Sequence, residues 1–313
     1  MLVRRLHGHL QRAQPLVGLV TGRSADGSAN VGAAFRKGFN ETGYVEGQNV
    51  VVEYHWLAGQ YDRVPALMAD LVRRHVAVIV TPSIATVALA AKAPTATIPI
   101  AFGIGKDPVQ FGLVANLARP GGNITGANFF ATEVAAKRLR LLHDLIPNAV
   151  RISVLVNPAS VSNTESTLRE TQEAAPALGL NIEILNATTI GEIDAAFAAL
   201  ARERPDAFVG LDGFFTSRRM QFATLTAVNK IPATYSNREY VEAGGLMSYG
   251  TDLTDVFHQV GVYTGNILKG AKPADLPVMQ STKLEFVLNL QTSRALGVSV
   301  PPSLLSIADE VIE

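Results

Sequence analysis

Short apolar runs alternate with longer segments of helical period along most of this sequence. Residues 16–20 form a continuous apolar run, and the predicted helix at 30–43 carries Val31, Phe35 and Phe39 on one side. Apolar strands without polar alternation, each followed by a helix, are typical of a parallel sheet that is buried on both faces. The pattern therefore predicts an α/β fold.

The pattern occurs as two series, which indicates two similar lobes rather than one large sheet. The first series has predicted strands at 16–20, 50–54, 76–80 and 98–102. After a break near 123–130, the second has predicted strands at 152–156, 182–185, 207–211, 233–235, 246–249 and 284–290. We therefore predict two doubly wound parallel-sheet lobes.

Two turn signals give local detail. Gly43 stands where the C-terminus of a helix favours a left-handed residue. Asp62 is expected to cap the helix that follows it.

Composition limits function more than fold. The 313 residues exceed what one ordinary core holds, and 48% hydrophobic against 17% charged residues indicate a packed protein. The 27 basic and 27 acidic residues balance without a basic run, so we predict no nucleic-acid partner. Because the sequence has no cysteine, disulfides, thiolate metal sites and cysteine nucleophiles are excluded. No apolar stretch approaches the roughly 18 residues that cross a bilayer.

Motifs of catalysis and metal binding are missing from the sequence. Residues 103–107 lack the length and the terminal Ser or Thr of a phosphate-binding loop, and no Gly-x-Ser-x-Gly elbow occurs. The six histidines are scattered, and none forms a His-Glu-x-x-His arrangement. We predict no catalytic residue, no metal site and no cofactor, and we expect that the protein is not an enzyme. A catalytic dyad of residues that are adjacent only in space stays open.

Polar loops follow five of the predicted strands, at the carboxyl ends where open parallel sheets bind ligands. These loops are residues 21–26, 81–86, 103–108, 157–162 and 212–217. A Ser or Thr that leads into a helix offers a hydroxyl beside free backbone N–H groups, which suits a carboxylate. Ser83 and Thr86 are the predicted anion contacts, and plain helix capping is the alternative. Ser24, in the loop at 21–26, and Ala85, in the loop at 81–86, complete this part of the predicted site.

In the second series, Asp212 ends an apolar strand and is predicted at the corresponding edge of its sheet. It either contacts a ligand, caps the helix that begins near Thr216, or forms the turn before Gly213. Phe214 and Phe215 form either an aromatic wall for the ligand or part of the core.

Five motifs, together and in this order, carry a resemblance to a known family. They are residues 38–54 (GFNETGYVEGQNVVVEY), 59–65 (GQYDRVP), 106–114 (KDPVQFGLV), 119–126 (RPGGNITG) and 242–250 (EAGGLMSYG). From about Pro15 to the last residue, the chain resembles the substrate-binding proteins of bacterial ABC transporters, in their tryptophan/tyrosine-binding-like branch.

The resemblance implies the type 1 periplasmic-binding fold, in which the chain crosses three times between two lobes joined by a hinge. We expect the crossings near 126–130, 246–250 and 278–284. The lobes are then discontinuous, with residues 15–127 plus 249–281 in the N-terminal lobe and 128–248 plus 282–313 in the C-terminal lobe.

Five further residues at strand ends or expected crossings enter the predicted site. Asn128, Tyr235 and Ser248 lie where hinge and pocket coincide in the implied fold. For Tyr235 the alternative is core packing with a satisfied hydroxyl. Asn157 either donates its amide to a ligand or holds the turn before a proline. For Asp107, a structural role in an Asp-Pro turn is favoured.

The resemblance also implies a function. It implies non-catalytic capture of a small organic solute, an aromatic or hydrophobic amino acid or a related aromatic acid, by hinged closure of the lobes. Ser83 and Thr86 would hold the carboxylate, and Asp212 would pair with the ammonium group. The protein would act as a periplasmic monomer that delivers the solute to an ABC permease and its ATPase. A ligand-sensing protein of the same fold is the alternative.

The N-terminus departs from the family pattern of a complete export signal. Residues 1–10 are basic, but no apolar core of about 7–15 residues follows them. We expect residues 1–14 to be a tail that retains part of such a signal beside a misassigned start. An altered segment, or a copy that stays inside the cell, is the alternative.

Overall fold

The computed structural model describes residues 14–129, 134–158, 161–210 and 213–313. Its strands are β1 (Leu16–Thr21), β2 (Val51–Trp56), β3 (Val78–Thr81), β4 (Ile100–Ile104), β5 (Ile124–Phe129), β6 (Arg151–Val156), β7 (Asn181–Asn186), β8 (Ala207–Gly210), β9 (Ala233–Tyr235), β10 (Met247–Thr251), β11 (Met279–Ser281), β12 (Leu284–Asn289) and β13 (Glu310–Ile312). Its helices are α1 (Ala29–Glu41), α2 (Val64–Arg73), α3 (Ala85–Lys92), α4 (Val134–Leu145), α5 (Val161–Ala174), α6 (Ile190–Glu203), α7 (Arg219–Val228), α8 (Glu239–Glu242), α9 (Leu253–Leu268), α10 (Leu290–Leu296) and α11 (Pro302–Leu305).

Six strands form the first sheet, in the order β11-β5-β4-β3-β1-β2. All neighbouring strands in it are parallel. Parallel neighbours need long crossover connections, and here the connections from β1 to β4 are supplied by α1, α2 and α3 in turn.

Seven strands form the second sheet, in the order β13-β12-β10-β9-β8-β6-β7. The order β7-β6-β8-β9-β10 repeats the order β2-β1-β3-β4-β5 of the first sheet, and it is a doubly wound order. The predicted fold class, α/β with two doubly wound parallel sheets, is therefore confirmed. The pairing of β12 with β10 is antiparallel, which the apolar pattern does not predict.

Buried apolar side chains cover both faces of each sheet. In the first sheet, Val17 and Leu19 of β1 pack toward α1 and α9, whereas Val20 packs toward α2 and α3. The second sheet likewise has one cluster under α4 and another under α6 and α7. Since alternate residues of a strand face opposite sides, burial of both faces produces the continuous apolar runs seen in the sequence.

The chain passes between the two sheets at three places. β5 of the first sheet is followed by α4 over the second sheet, and β10 of the second sheet is followed by α9 over the first. The third passage leads from β11 to β12. The exact division into lobes stays a prediction, and residues 1–13 of the expected tail lie outside the described residues.

The two turn predictions have different outcomes. Gly43 has a φ of 88°, which confirms a left-handed residue after α1. The prediction for Asp62 is wrong, because the N-cap residue of α2 is Arg63 and no side chain caps this helix. Asp62 belongs to a 3-10 turn that leads straight into α2, so the extended backbone that an N-cap residue adopts is missing here.

Candidate ligand site

Loops at the carboxyl ends of β1 and β3 meet where the first sheet changes its winding direction. In the order β2-β1-β3 the connections leave β1 and β3 toward opposite faces, which opens a crevice between the two loops. β6 and β8 hold the equivalent positions in the second sheet. Four of the five loops that the sequence marked as ligand-binding therefore follow the strands at these two switch points, and the loop at 103–108 follows β4.

Ser83 lies in this crevice and contacts the neighbouring strand. Its Oγ is 3.0 Å from Oγ1 of Thr21, the last residue of β1. The N-cap residue of α3 is Ile84, and no side chain caps this helix. The capping alternative for Ser83 and Thr86 is therefore not realised. The first turn of α3 keeps backbone N–H groups that can bind an anion, and Thr86 is exposed on this turn.

An apolar surface adjoins the hydroxyl pair of Thr21 and Ser83. A side chain at Gly22 would lie 2.1 Å from Cδ1 of Ile84 and 2.8 Å from Oη of Tyr61. Ile84 and Tyr61 therefore lie against the backbone of Gly22, and a Cβ there would require these side chains to shift. Sequence reasoning missed both residues as site residues, although Tyr61 lies within one of the motifs that carry the resemblance.

The loop after β1 also contacts the helices of the second sheet. Arg23 forms an ion pair with Glu239, the first residue of α8. Nη2 of Arg219 donates a hydrogen bond of 3.3 Å to the carbonyl oxygen of Asp26. Sequence reasoning also missed Arg23 and Glu239, because 216 positions separate them and no local pattern reveals their pairing.

Three predicted site residues use polar atoms to hold nearby backbone. Oγ of Ser24 accepts a hydrogen bond of 3.3 Å from a backbone N–H within its own loop. Oδ1 of Asp107 accepts from two backbone N–H groups of the following turn, which is the structural role favoured for it. Nδ2 of Asn128 donates to two backbone carbonyls, one at the last residue of β4 and one just after the strand. Contact of these residues with a ligand stays a prediction.

Two aromatic residues of the predicted site lie in the core of the second sheet. The ring of Tyr235 stacks on Tyr240 at 4.5 Å, and its hydroxyl is 3.2 Å from Oγ1 of Thr226. Burial raises the pKa of this hydroxyl. Phe215 is fully buried, with its ring 5.3 Å from that of Phe222. Both residues therefore adopt the core packing that was their stated alternative.

The remaining predicted residues of the second sheet are described only in part. Asn157 is buried directly after β6. Ser248 is the register partner of Tyr235, so it faces the same side of the sheet, and its buried Oγ has no hydrogen-bond partner among the described residues. Asp212 and the side chain of Phe214 lie outside the described residues.

Charge near the loops is modest. Lys106 follows β4, and its partial burial lowers the pKa of its amine, while the carboxylate of Glu165 opposes that shift. The described part of the chain holds no cluster of His, Asp and Glu that could bind a metal ion. It also has no helix that is long and apolar enough to cross a membrane. The described side chains of the candidate site offer hydroxyls, amides and apolar surface.

Known proteins with the same architecture include a complex with an amino acid. A crystal structure of an ABC domain in complex with L-Trp from Streptococcus pneumonia superposes with a TM-score of 0.84 at 26% identity, over 96% of this chain and 100% of that one. A conserved domain protein of Vibrio cholerae superposes with a TM-score of 0.85 at 25% identity, over 95% of this chain and 99% of that one. The tyrosine-binding protein of Clostridioides difficile strain R20291 is 26% identical over 267 residues, which are 84% of this chain and 75% of that protein.

A family model matches nearly the whole chain. The model described as ABC transporter substrate binding protein covers residues 18–312. Its extent takes in both sheets and all three passages between them, as the five sequence motifs implied. This chain belongs to the ABC transporter substrate binding protein family.

Proposed function

We propose that this protein captures an aromatic or hydrophobic amino acid, or a related aromatic acid, in the cleft between its two lobes. One observation carries the proposal: the hydroxyls of Thr21 and Ser83 lie beside the uncapped first turn of α3, with Tyr61 and Ile84 next to them. Groups that can bind a carboxylate thus adjoin an apolar surface. An aromatic or hydrophobic amino acid likewise carries its carboxylate close to an apolar side chain. Two relatives support the choice, since one is named a tyrosine-binding protein and the other is a complex with L-Trp.

The ligand's carboxylate would bind at the first turn of α3. Ser83 can accept a hydrogen bond from Thr21 while it donates its own proton to a carboxylate oxygen. Backbone N–H groups of that turn would add charge-assisted hydrogen bonds, and the helix dipole favours a negative charge there. Thr86 would donate from the exposed side of the same turn.

The ammonium group of the ligand would face the second lobe. Asn157 follows β6 at the equivalent switch point, and Asp212 is the proposed partner of the ligand's ammonium group. Hinged motion about the three chain passages would close the lobes, and the ligand would stabilise the closed form through its higher affinity for it. The contacts that already join the loop after β1 to α8 and Arg219 support such a closed arrangement.

Uptake is the proposed role of this capture. The protein would act in the periplasm, pass its ligand to an ABC permease and its ATPase, and leave the ligand chemically unchanged. Family membership supports each of these steps.

Isothermal titration calorimetry tests the ligand class. Protein that has been unfolded and refolded, to remove carried ligand, would be titrated with L-tyrosine, L-tryptophan, L-leucine and benzoate, with L-lysine and glucose as controls. We expect saturable heat from the first group and none from the controls. Absence of heat from every member of the first group would overturn the proposal, and chromatography of recovered ligand checks that it is unchanged.

A further inference from the structure

A buried ion pair joins the two lobes. Arg23 follows β1 of the first sheet, and Glu239 opens α8 over the second sheet. The side chains are only 7% and 10% exposed, and no other ion pair among the described residues has both partners so deeply buried. A cavity of about 10 Å³ beside Glu239 is likewise lined from both sides, by Asn30 and Val31 as well as Asn237.

Arg23 is held by its own lobe. Its Nε and Nη2 atoms donate hydrogen bonds of 3.2 and 2.7 Å to the carbonyl oxygen of Gly27. Gly27 in turn lies against the second lobe, because a Cβ there would be 3.4 Å from Nη1 of Arg219. The guanidinium group is therefore fixed to the first lobe and would move with it, away from Glu239, when the lobes part.

Glu239 depends on Arg23 for its charge balance. Oε1 accepts from Arg23, whereas Oε2 is buried and has no hydrogen-bond partner among the described residues. The neighbouring cation, Arg238, is already engaged with Glu242, Glu285 and Glu310. Removal of Arg23 would thus leave a buried carboxylate without a counter-charge.

The energetic consequence is specific to the closed form. In an open cleft both groups are hydrated, and loss of either one leaves no buried charge. In the closed form, loss of one partner leaves the other charge buried and unpaired, which is strongly unfavourable, whereas replacement of both by apolar side chains is often neutral. A single replacement therefore shifts the balance of the two forms toward the open one.

We propose that Arg23 and Glu239 are positioning residues that align the lobes in the closed form and thereby set the affinity for the ligand. The proposal rests on the lobe closure proposed above. It assigns no ligand contact to either residue. Their effect acts through the equilibrium between open and closed forms, and affinity falls with the fraction of protein that can close.

A double-mutant cycle tests this role. The variants are Arg23→Met, Glu239→Met and the combination of both, compared with the natural protein. Arg74→Met is the matched control, because Arg74 pairs with Glu53 at 2.6 Å entirely within the first lobe. Two readouts are the Kd for L-tyrosine and L-tryptophan and the ratio of closed to open protein.

The closed-to-open ratio can be measured from the distance distribution between two spin labels by double electron–electron resonance. The chain has no cysteine, so Leu89→Cys and Val228→Cys, which are 42% and 73% exposed, place one spin label on each lobe. We expect each single variant to lower the ratio, and to weaken binding, by roughly a hundredfold or more. The double variant should return to within about tenfold of the natural protein, and Arg74→Met should leave both readouts unchanged.

The outcomes distinguish failure of the ion-pair proposal from failure of the proposed ligand class. Single variants that keep the natural Kd and closed-to-open ratio would overturn it, as would a double variant that is no better than the singles. If the natural protein binds neither amino acid, the proposed ligand class fails. The ion pair is then judged by the ratio in ligand-free protein, where the same pattern across the cycle supports it and an equal ratio in all four proteins overturns it.

Discussion

At the scale of single residues, the hydroxyl of Ser83 has the clearest chemistry. It lies 3.0 Å from Thr21 on a neighbouring strand instead of capping the helix that it precedes. A hydroxyl both accepts and donates, so Ser83 can accept a hydrogen bond from Thr21 and donate its own proton to a ligand oxygen. This arrangement costs nothing when the ligand is absent, because water can take the ligand's place.

We expect Ser83→Ala to weaken binding of L-tyrosine by roughly tenfold or more, because it removes a hydrogen bond to a charged group. Calorimetric titration gives the Kd. Ser306→Ala is the matched control, since Ser306 is exposed and bonds only to the carbonyl oxygen of Ser303 among the described residues. Equal affinity of Ser83→Ala and the natural protein would show that the carboxylate binds elsewhere.

The sequence predicts some of these residues and hides others for a physical reason. Ser83 could be found because a hydroxyl between a strand and a helix is a local signal. Tyr235 and Phe215 carry no local sign of which face they occupy, and both lie in the core. Arg23 and Glu239 are visible as charges, but their burial depends on two segments that meet only in the folded chain.

At the scale of elements, β10 is packed closely between its neighbours. A Cβ at Gly250 would lie 1.9 Å from the carbonyl oxygen of Ser236, a backbone atom that cannot move without its strand. Gly191 is the opposite case, because a side chain there, near the start of α6, meets nothing within 4 Å.

We expect Gly250→Ala to lower the free energy of unfolding by about 2 kcal/mol, because the added methyl group overpacks this strand. Gly191→Ala should raise it by up to about 1 kcal/mol, since alanine loses less backbone entropy in a helix. Urea unfolding at fixed pH measures both variants. A Gly250→Ala variant as stable as the natural protein would mean that β10 has room to shift.

Glu285 on β12 gives this region a dependence on pH. Burial raises its pKa to about 7, with a smaller contribution from the carboxylate of Asp252, and this outweighs the opposing Arg238, whose Nη1 lies 3.1 Å from its Oε2. The folded protein therefore binds a proton more readily here than the unfolded chain, where the pKa is 4.5.

Stability contributed by this proton is complete below about pH 4.5 and is lost as the pH rises through about 7. Glu285→Gln stays neutral and lacks this loss. As the pH rises from about 4.5 to about 7, the free energy of unfolding of Glu285→Gln should therefore increase relative to that of the natural protein, and the difference should stay constant at higher pH. Burial lowers the pKa of His55, which makes the free energy of unfolding increase with pH. This contribution is the same in both proteins and cancels in their difference. A difference in the free energy of unfolding between the two proteins that stays constant from about pH 5 to pH 8 would contradict a raised pKa at Glu285.

Most elements follow from the apolar pattern, but the six-residue strand β5 (Ile124–Phe129) lies where the pattern predicts a break. The other strands that the pattern misses are short. The predicted strand at 284–290 is observed as Leu284–Asn289, and the predicted helix at 30–43 as Ala29–Glu41. β11 and β13 have three residues each, too few for a period to show. β12 runs antiparallel to β10, and a pattern of apolar residues does not encode the direction of a strand.

At the scale of the whole molecule, two sheets that share a five-strand order are connected by three passages of the chain. This repetition places two switch points, one in each sheet, and the contacts of Arg23 and Arg219 join the loop at one of them to the helices of the other lobe. A ligand held between them would contact both lobes, so binding and closure would be one event.

Small-angle X-ray scattering of ligand-free and ligand-saturated protein tests this claim most directly. The protein would be freed of carried ligand, and its radius of gyration measured with and without saturating L-tyrosine or L-tryptophan, with L-lysine as the control. Our account predicts a smaller radius with the aromatic amino acid and no change with lysine. An amino acid that binds in calorimetry yet leaves the scattering profile unchanged would contradict it.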